Sequence, residues 1–208
     1  MTGRGLPSPP LLVISDRSQA QRPLTDIAGA SFAGGCRWFS LREKDMPPAE
    51  RRALLGELVA LGRRYDAVVM VHDDLEVAVA SGAGGVHLPS GGDPAEARGL
   101  LPRGLIGVSA HSTAEAATLI AAGADYVTIS PIFLTDSKPG YGPALGLNGL
   151  AATVAAAKGP VVALAGITPD NAHACMEAGA AGIAVMGEIM RALDPEATVR
   201  SLIKAIGP

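Results

Sequence analysis

Short runs of apolar, largely β-branched residues alternate along this chain with longer stretches of helical periodicity. The predicted strands are residues 11–15, 38–41, 67–71, 85–88, 106–109, 126–130, 161–165 and 182–186. The stretches between them begin near Pro, Thr or Asp and end near Gly, which are helix start and stop signals. Strands that alternate with helices in this way are typical of parallel βα units.

Eight such units in one chain predict an α/β fold, a single-domain (β/α)8 TIM barrel. Three segments repeat one order, in which a Gly after a helix leads through a short link to a strand: 81–88, 121–129 and 177–185. The competing open, doubly wound sheet needs a glycine-rich turn after its first strand, and residues 16–23 contain no glycine. We therefore assign residues 11–208 to the barrel and residues 1–10 to an N-terminal extension.

Composition and charge exclude several classes of function. The 208 residues are 48% hydrophobic and 18% charged, and the formal net charge of −3 provides no basic stripe for nucleic acid or for a membrane surface. One Trp, three Tyr and three Phe are too few for a base-stacking platform. No apolar run approaches a membrane span and the start lacks a signal-peptide pattern, so we expect a cytoplasmic protein. Cys36 and Cys175 are expected to be reduced, packed thiols.

Polar residues follow the predicted strands at their carboxyl ends, where barrels carry their active sites. Gly166 and Gly187 lie at the ends of the seventh and eighth strands, where backbone N–H groups can approach a phosphate closely. After the sixth strand, Thr135, Ser137 and Lys138 add hydroxyl donors and a positive charge. Such a loop by itself is also an ordinary solvated turn. Together with both glycines it predicts a phosphorylated ligand.

Two further strand ends carry candidate chemistry. Arg42 and Lys44 alternate at a strand end and point the same way, so they could bind a second anion or a carboxylate. The alternative is that Arg42 and Glu43 form a surface ion pair with nearby partners. His111 precedes a predicted helix whose Ser112 and Glu115 have the spacing of a capping box. At that position His111 either shuttles a proton at the barrel mouth or is a polar loop residue.

Asp73 is the candidate metal ligand, because Mg²⁺ on a diphosphate uses one or two carboxylates together with substrate oxygens. Consecutive residues of a strand end cannot all converge on one ion. The alternative is that Asp73 or Asp74 caps the helix that begins at Leu75. His87, within a strand, and His173, within a helix, are interpreted as structural residues.

The chain resembles the thiamin-phosphate synthase family, which includes the thiazole tautomerase TenI. The matching stretches lie in the family's order and cover nearly the whole chain: SLREK (40–44), 74–91, IGVSAHSTAEA (106–116), GADYVTISPIFLTDSKPG (123–140) and 161–186. The resemblance implies a (β/α)8 barrel and a thiamin-pathway enzyme.

The resemblance also implies roles for matching positions. One group holds the diphosphate: Thr135, Ser137 and Lys138. A second group holds the thiazole phosphate: Gly166, Met186 and Gly187. A third group lines the pyrimidine diphosphate site: Arg42, Lys44 and Ser109.

The chain departs from the synthase pattern at several of its polar positions. The synthase has Gln at the position of Ser40 and Asn-Asp-Arg at residues 72–74. Its second Mg²⁺ ligand falls at Gly92, and Asp93 lies one residue later. The loss of a carboxylate weakens metal binding where the leaving group's charge develops, and the loss of the amides removes polar contacts to the pyrimidine.

These departures favour a TenI-like thiazole tautomerase, which uses no metal. In this hypothesis the glycines hold the phosphate, Arg42 or Lys44 faces the carboxylate, and His111 relays the proton. The alternative is a thiamin-phosphate synthase that joins hydroxymethylpyrimidine diphosphate to thiazole phosphate, with Mg²⁺ on Asp73 and on Asp93 if that side chain reaches inward. A third hypothesis is a non-catalytic barrel that binds thiazole or thiamin phosphates. In each case the partner is a small phosphorylated thiazole or pyrimidine, without nucleic acid or membrane, and a homodimer is left open.

Overall fold

The eight strands of the chain close into a barrel. The computed structural model describes residues 5–135 and 142–207. The strands are β1 Leu11–Ile14, β2 Trp38–Leu41, β3 Val68–His72, β4 Gly85–Leu88, β5 Leu105–Ala110, β6 Tyr126–Ile129, β7 Val161–Leu164 and β8 Gly182–Val185. Every neighbouring pair is parallel, and β1 pairs with β8 to complete the ring. The predicted (β/α)8 barrel is confirmed.

Helices follow the strands around the outside of this barrel. They are α1 Leu24–Ala33, α2 Pro48–Arg63, α3 Leu75–Ser81, α4 Pro94–Leu100, α5 Thr113–Ala121, α6 Gly146–Ala157, α7 Pro169–Glu177, α8 Gly187–Met190 and α9 Pro195–Ile206. The single turn of α8 is an additional helix between β8 and α9. Within the described ranges, no helix is both long enough and apolar enough to span a membrane.

The buried side chains form two layers, because alternate residues of each strand point to opposite faces of the sheet. The layer inside the barrel comprises Leu12, Ile14, Trp38, Met70, Leu105, Tyr126, Val162 and Ala184. Leu11 and Val13 belong instead to the larger layer between the sheet and the helices. Because both faces are covered, the strands are almost wholly apolar, as the sequence pattern indicated.

The N-terminal residues that are described contact the barrel. Leu6 packs against the interior layer, and the carbonyl of Pro10 accepts a hydrogen bond from Ile183 of β8 at 3.0 Å. The boundary between an extension and the barrel at residue 10 stays a prediction. Cys36 and Cys175 are buried and unbonded to each other, as expected.

Two aspartates that follow strands cap the next helix. Asp74 accepts a hydrogen bond from the Val77 amide at 2.9 Å and also pairs with Arg51 at 2.5 Å. Asp93 accepts hydrogen bonds from the amides of Ala95 and Glu96. Between the two aspartates proposed as the cap of α3, the structure therefore selects Asp74. Asp93 faces its own helix, which contradicts the suggestion that it reaches inward.

The two caps differ in their ion pairs, and this difference generates a prediction. Asp74→Ala removes a cap and also leaves the largely buried Arg51 guanidinium without a carboxylate, so we expect a loss of about 3 kcal/mol or more in the free energy of unfolding. Asp93→Ala removes only an exposed cap and should cost about 1 kcal/mol. Urea denaturation of both variants measures the difference. Equal losses would contradict a stabilising role for the Arg51–Asp74 pair.

Candidate active site

A pocket of about 500 Å³ opens at the carboxyl ends of the strands. All the predicted site residues that the structure describes line it: Arg42, Lys44, Asp73, Ser109, His111, Thr135, Gly166, Met186 and Gly187. Ser137 and Lys138 lie outside the described residues. The parallel barrel brings the ends of all strands to one rim, and this is why residues far apart in sequence meet here.

Gly166, Met186 and Gly187, here called the phosphate cradle after the role predicted for them, lie side by side at the ends of β7 and β8. Gly166 has φ of +66°, and a Cβ there would lie 2.5 Å from the carbonyl oxygen of Leu134. This close approach requires glycine. Gly187 opens α8, whose first turn leaves backbone N–H groups without partners inside the helix. Such groups bind anions well.

Side chains at the start of α7 fix the loop that contains Gly166. The Asn171 amide donates to the carbonyl of Gly166 at 2.9 Å and accepts from the backbone N–H of Thr168 at 2.9 Å. Phe133, in the loop after β6, donates its backbone N–H to the carbonyl of Ala165 at 3.1 Å. The loop that contains Gly166 is therefore held by hydrogen bonds from α7 and from the loop after β6.

Two cations lie on the other side of the pocket. Lys44 Nζ is 3.6 Å from Asp73 Oδ2, and the lysine side chain is exposed. The Arg42 guanidinium has no carboxylate within ion-pair distance in the described part of the chain. The surface ion pair considered from the sequence is therefore not seen for Arg42, and its charge faces the pocket.

Glu43, between these cations, points away from the pocket and is buried. Its carboxylate accepts hydrogen bonds from the Ser15 hydroxyl at 2.6 Å and from the Arg17 amide at 3.1 Å. Ser15 Oγ in turn accepts from the backbone N–H of Arg42 at 2.8 Å. Burial raises the pKa of Glu43, and these hydrogen bonds oppose the rise. Glu43 thus fixes the backbone of Arg42 through Ser15. The alternation of side chains at the end of β2 was the sequence feature that could have indicated that Glu43 points away from the pocket.

Asp73 has a left-handed backbone with φ of 58°, which an aspartate tolerates better than most residues. Its backbone N–H donates to the carbonyl of His87 at 3.0 Å, and its carboxylate faces the pocket. In the described chain the other carboxylate lining the pocket belongs to Glu188, on the β8 side. Asp93 does not line the pocket.

His111 lies at the rim, as predicted, with its ring held by Ser130. Nδ1 is 3.1 Å from the carbonyl oxygen of Ser130, which can only accept, so Nδ1 carries the hydrogen in the neutral ring. Ser112 accepts from the Glu115 amide at 3.2 Å, which is one half of the predicted capping box. The other half is shifted, because Glu115 binds the backbone N–H of His111 at 2.7 Å rather than that of Ser112.

Arg191 also lines the pocket, and it is not among the predicted site residues. It lies four residues after Gly187, which places it on the same face of the turn as the phosphate cradle. Its guanidinium donates to the side-chain oxygen of Gln19. The spacing from Gly187 would have indicated it once the short helix α8 was recognised.

Polar side chains also continue into the barrel below the pocket. The Ser40 hydroxyl is 2.8 Å from His72 Nδ1, and the His72 and His87 rings lie 4.4 Å apart between centroids. His87 is packed, as predicted, and burial lowers its pKa from 6.5 to about 3. Burial likewise lowers the pKa of His72 well below its ordinary value.

His173 lies outside the pocket on α7. Its side chain is exposed, and its Nε2 is 3.6 Å from Glu177 Oε1.

Closed (β/α)8 barrels frequently hold a phosphate at the loops after strands 7 and 8, and in this chain both loops carry a glycine. Residues 11–189 match the family model described as thiamine monophosphate synthase. The chain therefore belongs to the thiamin-phosphate synthase and TenI family, and it is an enzyme of thiamin biosynthesis. The expectation drawn from the resemblance is confirmed.

Individual relatives agree with this assignment. A thiamine-phosphate synthase of a Roseiflexus species is 39% identical over 193 residues, which cover 91% of this chain and 82% of that protein. The thiamine-phosphate synthase of Methanoculleus marisnigri is 41% identical over 198 residues, with 92% of each chain covered. The solved structure of thiamine phosphate pyrophosphorylase from Pyrococcus furiosus has a TM-score of 0.85 and 35% identity over 94% of each chain.

The lowered pKa of His87 generates a prediction about acid stability. Between pH 6.5 and about 3 the unfolded chain binds a proton at this residue and the folded chain does not, so acidification favours unfolding. Below pH 6.5 the free energy of unfolding should therefore fall more steeply in the parent than in His87→Gln, by up to about 1.4 kcal/mol per pH unit. Urea denaturation between pH 7 and pH 5 measures both slopes. Equal slopes for the parent and His87→Gln would refute the assignment.

Proposed function

We propose that this chain is a thiamin-phosphate synthase, which joins hydroxymethylpyrimidine diphosphate to thiazole phosphate and releases diphosphate. The observation that carries the proposal is one pocket with two separate anion-binding sides. The phosphate cradle lies at the ends of β7 and β8, and Arg42 and Lys44 lie at the end of β2. The names of the relatives also support the synthase ahead of the tautomerase that the sequence departures favoured.

Each anion side suits one substrate. The cradle offers backbone N–H groups to a monophosphate, which matches the thiazole phosphate. Arg42 and Lys44 offer two positive charges to a diphosphate, and Thr135 lies at the same rim with a hydroxyl donor. Holding both substrates in one pocket places the thiazole nitrogen against the carbon that loses diphosphate. The new C–N bond forms there as the C–O bond to diphosphate breaks.

The residues present fit a Mg²⁺ ion that enters with the diphosphate. Mg²⁺ needs one or two carboxylates in addition to substrate oxygens, and Asp73 supplies one at the rim beside Lys44. Asp74 and Asp93 are committed to helix caps. When bound, the ion would neutralise the leaving diphosphate. Arg42 and Lys44 would neutralise the remaining charge of the diphosphate, because these two cations face the same side of the pocket.

Substitution of Asp73 tests this function. The parent should form thiamin phosphate from the two substrates in the presence of Mg²⁺. Asp73→Asn should lower kcat/KM by about 100-fold, because it removes the one carboxylate beside the cations. Asp93→Asn, at the helix cap, is the matched control and should retain activity. A parent that binds thiazole phosphate but forms no product would refute the synthase.

The tautomerase is the second candidate, and the setting of His111 favours it. Ser130 fixes the ring, and Glu115 binds both the backbone of His111 and the hydroxyl of Ser90. A neutral ring with its hydrogen on Nδ1 presents Nε2 as a base for moving a proton within a carboxylated thiazole phosphate.

His111→Ala tests the second candidate. If the chain is a tautomerase, the parent should isomerise the carboxythiazole phosphate without metal, and His111→Ala should lower that rate by about 100-fold or more. Calorimetric binding of thiazole phosphate should be retained, because the cradle is unchanged. A parent that forms thiamin phosphate and does not isomerise this compound would exclude the tautomerase. The non-catalytic binding protein considered from the sequence is not proposed, because the family and its relatives are enzymes. The cytoplasmic location and the homodimer stay predictions.

A further inference from the structure

Three neighbouring strands bring a tyrosine, a histidine and a serine into one hydrogen-bonded row below the pocket. His87 Nδ1 lies 2.9 Å from the Tyr126 hydroxyl, and His87 Nε2 lies 3.0 Å from Ser109 Oγ. Thr128 Oγ1 is a longer second partner of Nε2 at 3.3 Å. Tyr126 and His87 are buried, whereas Ser109 lines the pocket. The row, here called the Tyr126 relay, therefore leads from the barrel interior to the ligand site.

A glycine on the middle strand makes this row possible. His87 of β4 is in register with Gly107 of β5, and Gly107 is in register with Tyr126 of β6. The tyrosine ring reaches the histidine by passing over Gly107. A Cβ at that position would lie 2.1 Å from Tyr126 Cζ and 2.4 Å from its hydroxyl oxygen. Any side chain at residue 107 would therefore break the contact between Tyr126 and His87.

The surroundings of Tyr126 determine which way the hydrogens point. Apart from His87, the acceptor near its hydroxyl among the described residues is Met70 Sδ at 3.8 Å. A thioether is a weak acceptor, and this sulfur already accepts the Trp38 indole N–H at 2.9 Å. The phenol therefore donates to His87 Nδ1. Nε2 then carries the ring hydrogen and donates to Ser109 Oγ.

We propose that Tyr126 and His87 are positioning residues that fix the Ser109 hydroxyl as a hydrogen-bond donor to the substrate. Once Ser109 accepts from Nε2–H, its own hydrogen is left for the pocket, and the described chain offers that hydroxyl no other acceptor. Ser109 therefore offers its hydrogen to an acceptor atom of the ligand. The identity of the substrate rests on the proposed function. In the pyrimidine diphosphate the acceptor is either a ring nitrogen or a diphosphate oxygen.

The tautomer of His87 is the direct test, and it needs no activity. Long-range 15N–1H correlation spectra of the histidine-labelled parent, assigned with His87→Gln, should show His87 with its hydrogen on Nε2. A hydrogen on Nδ1 alone would mean that Ser109 donates to the ring, and this result would overturn the proposal. In Tyr126→Phe the Nε2–H form should lose its dominance, because the donor to Nδ1 is gone.

Kinetics test whether the relay acts through Ser109. Tyr126→Phe should raise the KM for the pyrimidine diphosphate by up to about tenfold, the range for one neutral hydrogen bond, with little change in kcat. Tyr65→Phe, at a partly buried tyrosine packed on Phe32 away from the relay, is the matched control and should leave KM unchanged. In a Ser109→Ala background the Tyr126→Phe substitution should have no further effect on KM. An equal effect in both backgrounds would show a merely structural role for Tyr126 and overturn the proposal.

Binding of two fragments identifies the acceptor atom. Calorimetry with inorganic diphosphate and with hydroxymethylpyrimidine, on the parent and on Tyr126→Phe, should show weaker binding of one fragment only. Weaker diphosphate binding assigns the acceptor to an oxygen, and weaker pyrimidine binding assigns it to a ring nitrogen. Unchanged binding of both would contradict the relay. If the parent makes no thiamin phosphate but His87 has the expected tautomer, the proposed function fails and the polarity of the relay stands.

Discussion

Closure of eight parallel strands into a ring is the constraint on which the rest of this structure depends. A closed ring leaves no strand edge unpaired, and β1 pairs with β8 as regularly as the other neighbours pair. Closure also gives every strand an inner and an outer face, both buried, so apolar residues are required at nearly all positions. Because the strands are parallel, their carboxyl ends meet at one rim. The pocket is a consequence of this geometry.

At that rim, some carboxylates stabilise the fold by binding backbone amides, and others line the pocket. Asp74 and Asp93 satisfy the amides that begin α3 and α4, and Glu43 holds the loop after β1. Asp73 differs because its left-handed backbone turns the carboxylate toward the pocket and Lys44. This division limits the carboxylates that the rim offers to a metal ion, and it leaves Arg42 and Lys44 as the cations on their side of the pocket.

The inside of the barrel is also divided along its axis, into a part filled by large aromatic rings and a polar part near the rim. The lower part is filled by large rings, with Trp38 and Tyr126 edge to face at 4.8 Å. Nearer the rim the side chains become polar, with His72, His87 and Ser109 below the ligand site. Buried polar groups are costly unless they are paired, and here each of these side chains has a hydrogen-bond partner. Absence of a side chain at Gly107 gives the space that these contacts need.

The sequence by itself determined the barrel, because strand and helix periodicities are local and eight units leave few ways to close. It also indicated that Gly166 and Gly187 lie at the rim, since both follow predicted strands directly, and their binding of a phosphate stays a prediction. It could not decide which of Asp73 and Asp74 caps α3, because that choice depends on one backbone angle and on Arg51, some twenty residues earlier. For Glu43 it suggested only a surface ion pair, although this side chain is buried, and it gave Arg191 and the Tyr126 relay no assignment. Those depend on contacts between strands and loops that are distant in sequence, and only the closed tertiary structure brings them together.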